Sequence, residues 1–343
     1  GSDVQVIIPL AGKGTRLRPH THLVPKPLLK VAGRPVMDWV MDKLEGLDLS
    51  ELIFITGHLK EQVEAYARKH YDVPQRFVEQ KVQDGTAGAI NLARPFVKEP
   101  VLIIFVDTIF DADLSGVKTS QDDGIIWAKE VEDYQRFGVV VTDAQGYMTR
   151  IVEKPREPIS KLANIGLYYV RDADALWQGI DHVLANPQNQ GEWYLTDAFQ
   201  WMVEHGRKIR TAEVAGWYDC GALNTMLETN RILLERRRQG TSGERMGARA
   251  PRTTGARKLS PGTTLIEPLY IEDDVIIERS TVGPNVSIEA GTLVRDSTVT
   301  DAIIGKSCRI ENARLAGAML GDDVVVEGLK GSASLGAHSE VRV

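Results

Sequence analysis

The chain has 343 residues, which sets two domains as the starting expectation, each large enough to bury its own core. Hydrophobic residues make up 43% and charged residues 26%, near the averages for folded globular chains, and no apolar run reaches the ~18–20 residues that cross a bilayer, so no membrane partner is expected. A net charge of −6 gives no overall attraction to nucleic acid, although a local basic patch still suits a small phosphorylated ligand.

Gly1-Ser2 runs into the strand-like Val4–Leu10 without the basic, apolar and cleavage segments of a secretory signal, so a cytoplasmic location is expected. From Val4 to about Val170, short β-rich apolar runs alternate with amphipathic stretches, the pattern of a largely parallel sheet covered by helices; the fold class is α/β. Strands are predicted at Val4–Pro9, Glu51–Thr56, Val101–Val106, Gly124–Lys129 and Gly138–Thr142, with helical spacing over Pro35–Leu44, Lys60–Lys69 and Thr86–Ala93. Ligands gather at the strand ends of such sheets, and the first loop there is Leu10-Ala11-Gly12-Lys13-Gly14-Thr15-Arg16. Its small residues let backbone N–H groups approach a phosphate, while Arg16 and the Lys26 of Val24-Pro25-Lys26-Pro27-Leu28 supply the charge that a triphosphate requires. A glycine loop alone equally suits a turn. This one lacks the Walker order, since Lys13 precedes Gly14, and lacks the full dinucleotide glycine pattern.

Between residues 236 and 260 the chain turns to Arg, Gly, Thr and Ser, too polar to bury much surface, and reads as a flexible basic linker between a catalytic domain at 1–235 and a second domain at 261–343. Its Arg236-Arg237-Arg238 run reads as a solvated helix end. After the linker, Val282-Gly283, Ile304-Gly305, Leu320-Gly321 and Leu335-Gly336 each begin a unit, with a second apolar residue six positions on at Ile288, Ile310, Val326 and Val341. One inward side chain per short strand and a tight corner are what a parallel β-helix needs, and these repeats resemble the hexapeptide left-handed β-helix. The units start 22, 16 and 15 residues apart. Cys220 and Cys308 belong to no metal-spaced cluster or disulfide framework and read as packing residues.

The segments Leu10-Ala-Gly-Lys-Gly-Thr-Arg-Leu-Arg-Pro19 and Pro25-Lys-Pro-Leu28 resemble the nucleoside-triphosphate:sugar-1-phosphate nucleotidyltransferases. The resemblance continues, in the family's order, through Gly85-Thr86-Ala87-Gly88-Ala89, Glu153-Lys154-Pro155, Ala163-Asn-Ile-Gly-Leu-Tyr168, Leu195-Thr196-Asp197 and Trp217-Tyr-Asp-Cys-Gly221. It implies a Rossmann-like mixed-sheet nucleotidyltransferase domain, followed, as in many members, by a left-handed parallel β-helix. The implied substrates are a nucleoside triphosphate and a hexose 1-phosphate. A sugar-phosphate oxygen attacks the α-phosphorus and pyrophosphate leaves in line, so charge neutralisation matters more than a protein nucleophile.

Carried over by motif, Asp107 and Asp219 are the expected ligands of Mg²⁺, a hard cation that takes carboxylate and phosphate oxygens. Arg16 resembles the residue that clamps the leaving pyrophosphate, and Lys26 the one that bridges the phosphates as charge develops. Leu10, Ala11, Gly12, Gly14, Thr15, Gln80, Gly85 and Thr86 fall where the family holds the nucleotide, with Gln83 a competing choice for the base contact. Lys154 matches the residue that holds the sugar phosphate, and Glu153 would accept from sugar hydroxyls. Gly138, Asn164, Gly166, Glu192 and Trp217 fall along the sugar pocket; the alternatives are a strand start, a strand interior, a loop carboxylate and a core aromatic. One departure stands out: many members have Gly where Val106 precedes Asp107, and a β-branched residue resists conformations that Gly permits. UTP or dTTP with glucose 1-phosphate is the favoured pair, GTP with mannose 1-phosphate the alternative. A non-catalytic regulatory subunit would be marked by loss of Arg16, Lys26, Asp107 or Asp219, and all four are present. Acyl transfer by the β-helix would want a base, and the only histidine after His205 is His338. The flat faces of stacked rungs make a homo-oligomer the expected assembly.

Overall fold

The computed structural model describes residues 3–98, 100–244 and 260–343. The chain divides into two compact units, Gly1–Gly12 with Lys43–Trp217, and Lys13–Asp42 with Tyr218–Val343. Among the described residues no helix is long and apolar enough to cross a membrane.

The first unit is built on a nine-stranded sheet whose path runs Met148–Glu153, Gly138–Thr142, Leu162–Val170, Val101–Ile104, Val4–Pro9, Leu49–Thr56 and Gln75–Glu79. Gly124–Glu130 and Ile209–Glu213 extend it from Leu162–Val170. Val4–Pro9 pairs in parallel with both Leu49–Thr56 and Val101–Ile104, as alternating strands and helices require. The long Leu162–Val170 strand runs antiparallel to three neighbours, so the sheet is mixed rather than largely parallel. Near-continuous apolar runs such as Val6-Ile7-Ile8 and Ile53-Phe54-Ile55 are buried on both faces, because helices cover the sheet. Two of those helices, Ala173–Leu184 and Leu195–Glu204, turn Leu176, Ile180, Phe199 and Met202 onto it. Helical elements cover the three stretches with helical spacing, with Val36–Met41, Lys60–His70 and Thr86–Asn91 as the α-helical parts.

In the second unit, Thr264 to Arg342 coil as parallel β-strands. Three columns of side chains stack inward: Ile271, Ile288, Ile304, Leu320 and Leu335; Ile277, Val294, Ile310, Val326 and Val341; and Leu265, Val282, Val299 and Leu315. The irregular repeat spacing now has a cause. Val282 sits in a different column from Ile304, Leu320 and Leu335, so the 22-residue interval mixes two faces of the coil. Besides glycines, left-handed corners are carried mainly by Asp and Asn: Asp274, Asn285, Asp296, Asp301, Asn312 and Asp323. These are the residues besides Gly that enter that conformation at least cost.

The helix Leu223–Arg238 also belongs to this unit and takes in the basic run: Arg237 pairs with Glu244 at 2.8 Å and donates to Ala32 O, and Arg236 donates to Tyr218 OH at 2.8 Å. The remainder of the predicted linker, residues 245–259, lies outside the described residues.

Candidate active site

In the first unit, the loop after the opening strand lies close to the next one. Leu10 N–H donates to Ile55 O at 2.7 Å, and a Cβ on Gly57 would stand 2.8 Å from Ala11 O, so only glycine admits this approach. Gln83 Nε2 donates to the same Ala11 carbonyl at 3.4 Å, whereas the buried Gln80 turns its amide to Asp84 Oδ1 at 3.2 Å. Gly85 has φ +109°, and a Cβ there would come within 2.4 Å of Trp193 O and 3.1 Å of Glu192 Cβ. Thr86 Oγ1 accepts from Leu195 N–H at 2.8 Å, and Trp193 N–H donates to Asp84 O at 2.9 Å. The loop at 83–86 is thus tied to the loop carrying Glu192.

A second group gathers around Gly138. A Cβ there would fall 2.4 Å from Asn164 Nδ2, 2.8 Å from Glu153 Oε2 and 3.2 Å from Thr196 Cγ2. Asn164 Nδ2 donates to Gly138 O at 3.0 Å, its Oδ1 accepts from Gly166 N–H at 3.2 Å and from Tyr168 OH, and Thr196 Oγ1 donates to Glu153 Oε2 at 3.2 Å. Burial pushes the Glu153 carboxyl above its ordinary range, only partly countered by Thr196 and Lys154. Lys154, at φ +45°, places its ammonium 5.7 Å from the Tyr194 ring. Trp217 packs edge-on to Phe137 at 5.0 Å, and its indole Nε1 is buried without a hydrogen-bond partner. Gly138, Glu153, Asn164, Gly166 and Thr196 form one cluster whose polar atoms are fixed by one another. Asp107 lies exposed in the turn between Val101–Ile104 and Thr108–Asp111, flanked by the buried Val106 and Thr108.

The second unit collects the cations. Gly14, at φ +62°, is clasped by Thr21, whose Oγ1 donates to Gly14 O at 2.7 Å. A Cβ on Gly14 would stand 2.8 Å from Thr21 Cγ2 and 3.3 Å from Lys26 Cβ. Thr15-Arg16-Leu17 follows as a single tight turn. The Arg16 guanidinium and the Asp219 carboxylate both flank Gly221, where a Cβ would lie 2.7 Å from the one and 3.2 Å from the other. Asp219 is itself fixed: its Oδ1 accepts from Gly221 N–H at 3.2 Å and its carbonyl from Thr229 Oγ1 at 2.7 Å. Gly14, Arg16, Lys26 and Asp219 therefore come together, although about 200 residues separate the loop from the aspartate.

A glycine loop with an arginine and a lysine, and a polar cluster around Gly138, accompany a match that decides the family: the family described as nucleotidyl transferase covers residues 5–236. The chain belongs to the nucleotidyl transferases. It is 32% identical over 248 residues to the UTP–glucose-1-phosphate uridylyltransferase AglF of Haloferax volcanii, covering 69% of this chain and all of that one. It is 28% identical to the bifunctional protein GlmU of Methanococcus aeolicus, covering 90% of this chain and 79% of the relative. A glucose-1-phosphate thymidylyltransferase of Streptomyces griseus is 26% identical over 92% of this chain and 91% of its own. Among solved structures, a putative glucose-1-phosphate thymidylyltransferase from Bacillus anthracis in complex with a sucrose superposes with a TM-score of 0.60 at 25% identity, covering 72% of this chain and 98% of that one.

Sequence reasoning singled out Glu153 in this nucleotidyl transferase but not its partner Thr196, nor Tyr194 beside Lys154. The Leu195-Thr196-Asp197 motif was the available signal. His338 is exposed and faces Asp323 at 3.3 Å.

Proposed function

We propose that the chain joins a hexose 1-phosphate, glucose 1-phosphate by preference, to the nucleotidyl group of UTP or dTTP and releases pyrophosphate. The polar cluster of Gly138, Glu153, Asn164 and Thr196 carries this reading. A half-buried carboxylate and amide, already oriented by neighbours, suit the vicinal hydroxyls of a pyranose, and the missing side chain at Gly138 lets Asn164 and Glu153 close up against that strand. Lys154 holds the sugar phosphate. Arg16 offers its planar fork to the pyrophosphate, and Lys26 neutralises charge that builds on the phosphates. The names of the Haloferax and Streptomyces relatives support the choice of base and sugar.

Among the described residues no group of three or more His, Cys, Asp or Glu side chains forms a metal cage. Two separate carboxylates suit Mg²⁺, which typically takes one or two from the protein and completes its shell with phosphate oxygens and water. Asp107 and Asp219 would hold it, and it would supply neutralisation at the α-phosphate.

The test is pyrophosphate release with Mg²⁺ across UTP, dTTP, GTP, ATP and CTP against glucose, galactose, mannose and N-acetylglucosamine 1-phosphates. One productive pair, abolished by Asp107→Ala, supports the reading. Silence of every pair, with sugar nucleotides still bound, leaves a binding subunit instead.

A further inference from the structure

The residues that carry the phosphate loop share a compact unit with the β-helix. The contact runs along one outward-facing column of the coil, Tyr270, Ser287, Ile303, Met319 and Ser334, which stack in register. At one end the Tyr270 ring lies against Gly33, and Ser287 Oγ reaches Asn230 Oδ1, which accepts from Ala32 N–H at 2.7 Å. At the other end His20 Nε2 meets Ser334 Oγ at 3.0 Å, and Pro19 rests on Gly336, where a Cβ would be 3.2 Å from its ring. Burial pulls His20 down to about 4, so near neutral pH this contact is one between uncharged groups. Between the two ends the surfaces do not close. A cavity of about 190 Å³ separates Val24, Leu28 and Leu29 from Ile303 and Met319. The ion pair of Lys30 Nζ with Glu289 Oε1 spans it at 2.6 Å, with Asp322 adding negative charge beside the lysine. Past His20, Thr21 clasps Gly14 and packs within one residue of the turn that bears Arg16.

From this continuous chain of contacts we infer that the β-helix is a positioning element for the phosphate loop: Lys30–Glu289 and His20–Ser334 set where Arg16 and Lys26 stand. The inference rests on the roles proposed above for Arg16 and Lys26. Because a void rather than packed side chains lies beside the pair, its loss leaves the register to the contacts at the two ends. Glu289 and Lys30 touch no reacting atom; they act through the loop.

Hydrogen–deuterium exchange and steady-state kinetics of the full chain test this. In Glu289→Gln, amide exchange over residues 13–28 speeds up. The kcat falls about tenfold while the KM for hexose 1-phosphate stays within about twofold, as a small displacement of two phosphate ligands requires. The swap Lys30→Glu/Glu289→Lys restores both readouts to within about threefold of the parent. Should Glu289→Gln fail to fold, Ser334→Ala gives the same pattern at smaller amplitude. Unchanged exchange over 13–28 in the folded variant, or a kcat loss that the swap leaves in place, overturns the inference. Exchange does not depend on turnover, so a parent enzyme silent with every substrate would remove the proposed activity and still leave this measurement to decide the mechanical claim.

Discussion

Glu153 combines two demands that conflict. Its burial raises the carboxyl pKa, so in the folded chain the proton is held more tightly than in the unfolded one, and stability contributed by that proton is lost as pH rises past the ordinary carboxylate range. Glu153→Gln keeps an acceptor for Thr196 without the buried charge. The thermal midpoint of this variant should exceed that of the parent at pH 8, the gap should close in acid, and kcat/KM for the sugar phosphate should fall about 10-fold or more. Equal midpoints at pH 8 would show that the ionised form is not penalised. Arg16→Lys keeps the charge but removes the fork beside Asp219, and should lower kcat about 10–100-fold, read from initial rates with saturating substrates. Gly138→Ala drives a methyl into Asn164 and Glu153 and should raise the KM for hexose 1-phosphate about tenfold, the KM for the triphosphate far less. Much of this site was legible because motifs name residues: Arg16, Lys26, Asp219 and Glu153-Lys154 were all read from short strings. Thr196, which orients Glu153 from 43 positions away, was not, since nothing local to either residue encodes the pairing.

At the scale of elements, the hydrophobic pattern located the strands Val4–Pro9 and Gly138–Thr142 and the body of every helix it proposed. It could not give strand direction: the antiparallel course of Leu162–Val170 depends on pairing with strands far off in sequence. Likewise the apolar repeat showed the coil, but a one-dimensional count could not separate three inward columns. The column assignment is testable. Ile304 and Val294 lie fully buried in different columns, so Ile304→Ala and Val294→Ala should each cost about 2–4 kcal/mol in urea unfolding, whereas Thr298→Ala on an exposed face should cost less than about 0.5. The Lys30–Pro35 hairpin turns through Ala32 and Gly33, both at positive φ, with Gly33 under the Tyr270 ring. Gly33→Ala adds backbone strain to a clash that puts the new methyl 2.2 Å from the Tyr270 ring, and should cost about 2–4 kcal/mol.

For the whole molecule, two units divide the chemistry. The sheet-bearing unit carries the loop at 80–86 proposed for the base, the polar cluster proposed for the sugar and Asp107, while the unit containing the β-helix carries Arg16, Lys26 and Asp219. Sequence order hides this division, because residues 13–42 leave the first unit between its opening strand and the next and group with residues beyond 218. It places the loop with Arg16 and Lys26 in one unit with the β-helix. The central claim, nucleotidyl transfer to a sugar phosphate, is tested most directly in reverse. UDP-glucose and dTDP-glucose are supplied with labelled pyrophosphate and Mg²⁺, and label is followed into the nucleoside triphosphate. Label is expected in UTP or dTTP, with glucose 1-phosphate formed in equal amount and both lost in Asp219→Asn. Sugar nucleotide that binds yet yields no labelled triphosphate, or label that persists in Asp219→Asn, would contradict it.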